Sequence, residues 1–228
     1  MPPREFPPVF LVIPAGGRGV RLGGGTPKQF RDWGGKPLLQ ATVEAFLQPG
    51  MPPLAGIVLS VPPEFIDGVR TWSFGVPCTA VAGGATRQDS VSTALAALPD
   101  APDAAVLIHD AVRPFPSPEP VLEAILALES WDGAVLGEPS TDTLKEISTE
   151  GMVLSTLPRE RIFRAQTPQV ARLGRWREAF SAAAQDGFVG TDDVSLLERL
   201  GHRIRLIPSP PSNLKITTPQ DWQRWAPQ

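Results

Sequence analysis

Residues 9–30 read VFLVIPAGGRGVRLGGGTPKQF, and the other motifs of the chain relate to this stretch. Its first five residues are continuously apolar and mostly branched, a pattern typical of a strand buried on both faces of a sheet. After Pro14 the chain enters a loop with six glycines, which also carries Arg18, Arg21 and Lys28. Glycines let a backbone approach a ligand and point its N–H groups at it, while cations neutralise phosphate charge. The stretch therefore predicts a strand followed by a phosphate-binding loop.

Two common phosphate-binding motifs do not fit this loop. The Walker A motif requires a lysine that follows glycine and precedes serine or threonine, whereas Lys28 follows Pro27 and precedes Gln29. The dinucleotide fingerprint also fails, because Leu22 stands where its third glycine is required. A surface loop without a ligand is the alternative interpretation.

Composition narrows the class of protein. The 228 residues suffice for one large domain, and no change of composition suggests a second, so a single domain over residues 1–228 is expected. The net charge of −3 provides no basic excess for a nucleic acid. No apolar run reaches the length of a membrane span and no signal peptide is recognisable, which favours a cytoplasmic protein without a membrane partner. The one cysteine, Cys78, is expected to be a small core residue.

Strand and helix patterns alternate beyond the first loop, which predicts an α/β fold with a mostly parallel sheet and helices on both faces. Strands are expected at residues 9–13, 55–61, 78–82, 104–108, 134–136 and 203–207. Helices are expected at residues 38–47, 63–70, 89–98, 173–185 and 194–200, and after Ser117 and Thr218. Ser117 and the run from Thr191 to Asp193 are expected to cap the helices that follow them.

A segment at about residues 138–160 departs from this alternation. Residues 143–147 and 152–155 have the pattern of two short strands around Glu150 and Gly151, with too little apolar content to bury themselves. A projecting β-arm that pairs with another subunit would explain the pattern, and a plain surface hairpin is the alternative.

The other polar motifs follow predicted strands, where ligands bind in open α/β sheets. GGATRQDSV (83–91) follows the third strand and HDAVRP (109–114) the fourth, and QTPQ (166–169), TDD (191–193) and NLKIT (213–217) come later. Singly, each has a structural explanation such as a turn, a cap or an ion pair. His109 lacks a partner at zinc spacing and is expected to be structural. Together the motifs favour a ligand site at one edge of the sheet.

In chain order the motifs are PAGGxGxR, PKQF, GGxxRxDSV, HDAxRP, DTxK, AQTPQ, TDD and NxKIT. This set resembles the 2-C-methyl-D-erythritol 4-phosphate cytidylyltransferases of the non-mevalonate isoprenoid pathway, which are sugar-nucleotide-type nucleotidyltransferases. The resemblance extends from about Val9 to Trp222 and implies a single Rossmann-like domain. It also implies transfer of CMP from CTP to the acceptor phosphate, with release of pyrophosphate. The acceptor would attack the α-phosphate of CTP in line, so that the protein contributes positioning and electrostatics.

The resemblance also implies roles for individual residues. Arg21 and Lys28 would be catalytic, stabilising charge on the triphosphate, and Asp110 would hold Mg²⁺ together with the phosphates. CTP would contact both catalytic residues, Asp110, and Ala15, Gly16, Gly17, Gly83, Ala85 and Ser90. The acceptor would lie among Ala111, Arg113, Thr143, Thr167 and Lys215, and Arg159 from the other subunit of a homodimer. Gly16 and Ala85 depart from the residues usual in the family.

Two alternatives to this activity stay open at the level of sequence. A ribitol 5-phosphate cytidylyltransferase shares nearly all of these motifs. A non-catalytic nucleotide-binding protein on the same scaffold is a different class of function, and the presence of Arg21, Lys28, Asp110 and Lys215 argues against it.

Overall fold

The computed structural model describes residues 7–17 and 25–227, so Arg18 and Arg21 lie outside the described residues. The strands are β1 (Val9–Pro14), β2 (Gly56–Val61), β3 (Cys78–Ala82), β4 (Ala105–Ile108), β5 (Gly133–Pro139), β6 (Lys145–Ile147), β7 (Val153–Thr156), β8 (Phe163–Arg172) and β9 (Ile204–Pro208). The α-helices are α1 (Leu38–Ala45), α2 (Ile66–Arg70), α3 (Arg87–Ala96), α4 (Pro118–Ala127), α5 (Leu173–Asp186), α6 (Val194–Arg199) and α7 (Pro219–Trp225).

Seven of these strands form one sheet in the order β3-β2-β1-β4-β8-β5-β9. The pairs β1–β2, β1–β4, β2–β3 and β5–β9 are parallel, whereas β8 is antiparallel to both of its neighbours, β4 and β5. The expected α/β fold with a mostly parallel sheet is therefore confirmed. The N-terminal end of β8 lies at the same edge as the C-terminal ends of the parallel strands.

Both faces of β1 are buried, which explains why its apolar run is continuous. Val9, Leu11 and Ile13 belong to the core that also contains side chains of α1 and α4, while Phe10 and Val12 belong to the core that contains side chains of α3 and α5. All five side chains are at most 8% exposed. Burying side chains of this size contributes about 1.5–3 kcal/mol each, so both faces of the strand stabilise the fold. The strand thereby fixes where the glycine-rich loop begins.

The predicted helix caps are only partly correct. Ser117 occupies the N-cap position of α4 as predicted, with proline in the first turn, but its side chain makes no capping hydrogen bond. Helix α3 begins two residues earlier than predicted, because Thr86 and Asp89 form a reciprocal capping box. In the TDD motif Asp193 occupies the N-cap position of α6 without a side-chain cap, while Oδ1 of the preceding Asp192 accepts from the amide of Ser195 at 3.1 Å.

Within residues 138–160, β6 and β7 form an exposed antiparallel hairpin separate from the main sheet, while residues 138 and 139 are the end of β5. Four of its apolar side chains are more than half exposed, Ile147 (59%), Met152 (64%), Val153 (57%) and Leu154 (54%). The β-arm is therefore confirmed as a hairpin, and its pairing with another subunit stays a prediction. In the described part of the chain, no helix is long and apolar enough to cross a membrane.

Candidate active site

A cavity of about 440 Å³ lies at the edge of the sheet where the parallel strands end. The loop after β1, the loop from β3 into α3 and the loop after β4 line it, with Lys28 and Lys215 adding two cations. Predicted site residues that line it are Ala15, Gly16, Gly17, Lys28, Ala85, Ser90, Asp110, Ala111 and Lys215. The fold thus brings together residues about 200 positions apart that the resemblance assigned to one site.

One wall of the cavity is backbone. An added Cβ at Gly16 would lie 3.0 Å from Oγ of Ser90, and one at Gly83 would lie 3.3 Å from Cα of Gly16. Oγ of Ser90 accepts from the amide of Gly84 at 3.1 Å and donates to the carbonyl of Thr86 at 2.8 Å. Ser90 therefore fixes the loop after β3 against the loop after β1. This packing explains the glycines at these positions.

The PKQF motif is tied to two other loops. Gln29 is buried, and its Nε2 donates to the carbonyls of Ala15 at 2.6 Å and Gly17 at 2.7 Å. Nζ of Lys28 donates to the carbonyl of Ile216 at 2.9 Å, within the NLKIT motif. Gln29 thereby holds the start of the glycine-rich loop, while Lys28 stands at the cavity wall. Sequence reasoning quoted Gln29 within its motif and assigned it no role.

Asp110 lies at the centre of a cluster of cations. Its Oδ2 is 2.9 Å from Nζ of Lys215 and 3.4 Å from Nε of Arg113, and its Oδ1 is 3.4 Å from a terminal nitrogen of Arg87. Burial raises the pKa of this carboxyl group, but the charges of Arg87, Lys215 and Arg113 outweigh it and hold the pKa well below its ordinary value. Asp110 is therefore ionised at every working pH.

Arg87 connects this cluster to the TDD motif. Its two terminal nitrogens donate to the two carboxylate oxygens of Asp193, at 2.7 and 2.8 Å. Burial lowers the pKa of Arg87, but Asp193 and Asp110 raise it above its ordinary value, so the guanidinium stays charged. Neither Arg87 nor Asp193 was among the predicted site residues. Both stood in quoted motifs, but no local signal pairs residues that are 106 positions apart.

The buried side chain of His109 holds the loop after β4 in place through hydrogen bonds. It is fully buried, its Nε2 is 2.9 Å from the carbonyl of Arg113, and its Nδ1 is 3.1 Å from Oγ1 of Thr167. A carbonyl only accepts, so Nε2 carries the proton and the Thr167 hydroxyl donates to Nδ1. That hydroxyl also accepts from the amide of Asp110 at 3.0 Å. Burial lowers the pKa of His109 from 6.5 to about 4, so the ring is neutral and structural, as expected.

Four predicted acceptor-binding residues do not line the cavity. Arg113 is buried behind Asp110 and donates to the carbonyl of Asn213 at 2.7 Å, and Thr167 is buried beside His109. Thr143 and Arg159 are exposed and belong to the segment that carries the β-arm, where Arg159 donates to the carbonyl of Thr141 at 3.3 Å.

A divalent metal would have one protein carboxylate at this edge. Among the described residues no group of three or more histidine, cysteine, aspartate or glutamate side chains is arranged to hold a metal ion. Asp110, however, lines the cavity with a charged oxygen donor. Mg²⁺ commonly binds through one or two carboxylates together with substrate phosphates and water. The residues therefore fit a Mg²⁺ ion that arrives with a triphosphate.

Cys78 does not belong to this chemistry. It lies on β3, and burial raises the pKa of its thiol from 9.0 to about 11. A thiol with so high a pKa is a poor nucleophile at neutral pH, which agrees with the core role expected for it.

Comparisons with known proteins agree with this geometry. The profile of the family described as 2-C-methyl-D-erythritol 4-phosphate cytidylyltransferase matches residues 9–225. A protein of that name from Acidobacterium capsulatum is 41% identical over an alignment of 226 positions that covers 93% of this chain and 93% of the relative.

Two solved structures of proteins with this name resemble the fold. The one from Francisella tularensis superposes with a TM-score of 0.81 at 28% identity, covering 96% of this chain and 100% of the other. The one from Thermus thermophilus superposes with a TM-score of 0.75 at 33% identity, covering 94% of this chain and 95% of the other. Profile, identity and fold agree over nearly the whole length, and the chain belongs to the 2-C-methyl-D-erythritol 4-phosphate cytidylyltransferase family.

Proposed function

We propose that this chain transfers CMP from CTP to 2-C-methyl-D-erythritol 4-phosphate, giving 4-diphosphocytidyl-2-C-methyl-D-erythritol and pyrophosphate. One observation supports this activity above the others: a single cavity combines a wall of glycine backbone with Lys28, Lys215 and the ionised Asp110. Backbone amides and cations suit a nucleoside triphosphate. The family's name supplies the identity of the acceptor.

The reaction needs positioning and electrostatics, because the acceptor's own phosphate is the nucleophile. It attacks the α-phosphorus of CTP in line, a new P–O bond forms, and the bond to the β-phosphate breaks to release pyrophosphate. Lys28 and Arg21 stabilise the negative charge that develops on the triphosphate. Lys215, which lines the same cavity, holds the acceptor phosphate near the α-phosphate.

Residues around the same cavity also provide the contacts to the cytidine and to the metal ion. The cytidine lies against Ala15, Gly16, Gly17 and Ala85, which line the cavity, while Gly83 packs against Gly16 and Ser90 orders both loops. Asp110 would hold Mg²⁺ together with the phosphates, and the bound ion would neutralise part of their charge. Ala111, Arg113 and Thr167 shape the loop that receives the acceptor, Arg113 and Thr167 acting from behind Asp110.

We further propose that the enzyme works as a homodimer through the β-arm. The four exposed apolar side chains on the arm form a surface that a partner would cover. Thr143 and Arg159 lie on this segment away from the cavity of their own chain, so a partner's arm would bring them to the acceptor. We also propose that the protein is cytoplasmic, as the lack of a long apolar run in its sequence favours.

Pyrophosphate release tests the activity. The wild-type chain is assayed with CTP, Mg²⁺ and 2-C-methyl-D-erythritol 4-phosphate, beside ribitol 5-phosphate and a reaction without metal. We expect turnover with the methylerythritol phosphate that is lost without Mg²⁺. Turnover with ribitol 5-phosphate alone would contradict the acceptor, and CTP binding without turnover on either acceptor would contradict catalysis.

The oligomeric state in solution tests whether the β-arm forms the dimer interface. In light scattering after gel filtration, the wild type should have the mass of a dimer and the variant Met152→Asp/Leu154→Asp that of a monomer. Val189→Asp is the matched control, because Val189 is 72% exposed outside the arm. A dimer that survives both arm substitutions would refute this interface.

A further inference from the structure

Arg87 and Asp193 form an ion pair next to the proposed metal-binding carboxylate, outside the residues to which the proposed mechanism gives a role. Asp193 is 2% exposed, whereas the side chain of Arg87 is 39% exposed and lines the cavity. The pair is bidentate, at 2.7 and 2.8 Å, a geometry that fixes the plane of the guanidinium. A terminal nitrogen of Arg87 then lies 3.4 Å from Oδ1 of Asp110, too far for a strong hydrogen bond.

Hydrogen bonds from α3 and β8 hold the loop before α6, and with it Asp193, in place. Gln88, next to Arg87, donates to the carbonyl of Phe188 at 2.9 Å and accepts from the amide of Gly190 at 3.1 Å. Gln169 of β8 donates to Asp192 at 2.8 Å and accepts from the amide of Val194 at 2.8 Å. Hydrogen bonds from α3 and β8 thus hold both ends of the TDD motif.

The formal charges around Asp110 indicate why Arg87 needs a second carboxylate. Arg87, Arg113 and Lys215 face the carboxylates of Asp110 and Asp193, which leaves the cluster with a formal net charge of +1. Without the charge of Asp193 the net charge is +2, and Asp110 is then the one carboxylate of this cluster left for Arg87. A released guanidinium would pair with Asp110, because arginine binds carboxylates bidentately where it can.

We propose that Asp193 is a positioning residue for metal binding: it holds Arg87 away from Asp110, so that Oδ1 of Asp110 stays accessible to a divalent cation that arrives with CTP. This inference rests on the proposed function, since it takes CTP and a divalent metal as the ligands. It assigns to the TDD motif a role beyond capping α6.

The affinities for Mn²⁺ and for CTP test the proposal together, because only the Mn²⁺ affinity should fall. Asp193→Asn should weaken binding of Mn²⁺ to the protein–CTP complex about tenfold, the scale for losing an outer partner of a metal ligand. The same variant should bind CTP in EDTA as well as the wild type or several-fold more tightly, because the cluster is more positive. Mn²⁺ is measured from the paramagnetic resonance signal of the free ion, and CTP by calorimetry.

A second substitution shows whether Asp193 acts through Arg87. In Asp193→Asn/Arg87→Gln neither buried charge is left unpaired, so this variant is expected to fold even if the single variant does not. Without a guanidinium to close on Asp110, its Mn²⁺ affinity should return to within about threefold of the wild type. Asp186→Asn is the control, since it breaks an exposed arginine pair, with Arg199, away from the cavity.

The outcomes separate the inference from the proposed function. Loss of Mn²⁺ affinity in Asp193→Asn, recovered in the double variant, supports the positioning role. Unchanged Mn²⁺ affinity, or a parallel loss of Mn²⁺ and CTP that the double variant does not recover, overturns it while the proposed function stands. A wild-type chain that binds no CTP overturns the proposed function and this inference with it.

Discussion

Acidification should destabilise the metal-free protein through His109. The ring is fully buried, packs edge-on against Phe46 with ring centroids 4.7 Å apart, and uses both nitrogens in hydrogen bonds. Protonation puts a second N–H on the ring at Nδ1, where the Thr167 hydroxyl donates in the neutral state. The hydroxyl must then turn, and it already accepts from the amide of Asp110.

The magnitude follows from the lowered pKa. The unfolded chain binds a proton at the ordinary value of 6.5, whereas burial lowers the pKa in the folded protein to about 4. The unfolded state therefore binds more protons between these values, and stability falls as the pH falls through this window. A difference of about 2.5 units corresponds to about 3 kcal/mol, lost between pH 7 and pH 4 and present in full above pH 6.5.

Denaturant unfolding at a series of pH values measures this loss. The control is His109→Gln, which keeps a donor for the carbonyl of Arg113 and cannot titrate. The other titratable groups are present in both proteins, so the difference between the two curves reports mainly the titration of His109. We expect the wild type to lose about 3 kcal/mol more than the variant between pH 7 and pH 4. Parallel curves would refute the reasoning from burial.

Three further predictions concern the cavity wall and the single thiol. Lys28→Ala should lower turnover roughly 10²-fold with the fold intact, the scale for one preorganised charge contact, while Lys36→Ala outside the cavity leaves turnover unchanged; near-normal rates for Lys28→Ala would contradict its role. Gly84→Ala places a Cβ 2.2 Å from Cβ of Asp89, so it should lower stability by about 1–3 kcal/mol and weaken CTP binding in calorimetry; wild-type values for both would contradict the packing. Cys78 should react with a disulfide reagent at pH 8 about 100-fold more slowly in the native than in the unfolded chain, and equal rates would contradict its raised pKa.

The parallel part of the sheet could be predicted because its signal is local. β1 is buried on both faces, so its apolar run has no polar interruption, and the glycine-rich loop follows where β1 ends. Motifs after three strands were expected at one edge, and the cavity lies there because parallel strands place their C-terminal ends together.

β8 could not be predicted because its polar residues are satisfied by distant parts of the chain. Gln166 accepts from Asn213 at 3.0 Å, and Gln169 donates to Asp192 at 2.8 Å. Buried polar side chains within a strand interrupt the apolar pattern on which strand prediction relies. Their partners are 47 and 23 positions away, so no local pattern in the strand reveals why it is buried.

The candidate site was predicted as a list of residues but not as a network. The resemblance to the family, carried by the motifs and their spacing, named Asp110 and Lys215, and the structure places them 2.9 Å apart. The same spacing could not show that Arg87 binds Asp193, because an ion pair between distant residues leaves no periodic pattern. Nor could it show that Arg113 lies behind Asp110 rather than in the cavity wall.

Transfer of CMP to the acceptor phosphate is tested most directly by isotope labelling. The wild-type chain is incubated with CTP, Mg²⁺ and 2-C-methyl-D-erythritol 4-phosphate that carries ¹⁸O in its phosphate, and the products are analysed by mass spectrometry. Because the acceptor phosphate attacks the α-phosphorus of CTP, all of the label should appear in 4-diphosphocytidyl-2-C-methyl-D-erythritol and none in pyrophosphate. Label in the pyrophosphate, or pyrophosphate formed without a labelled cytidyl product, would contradict the proposed reaction.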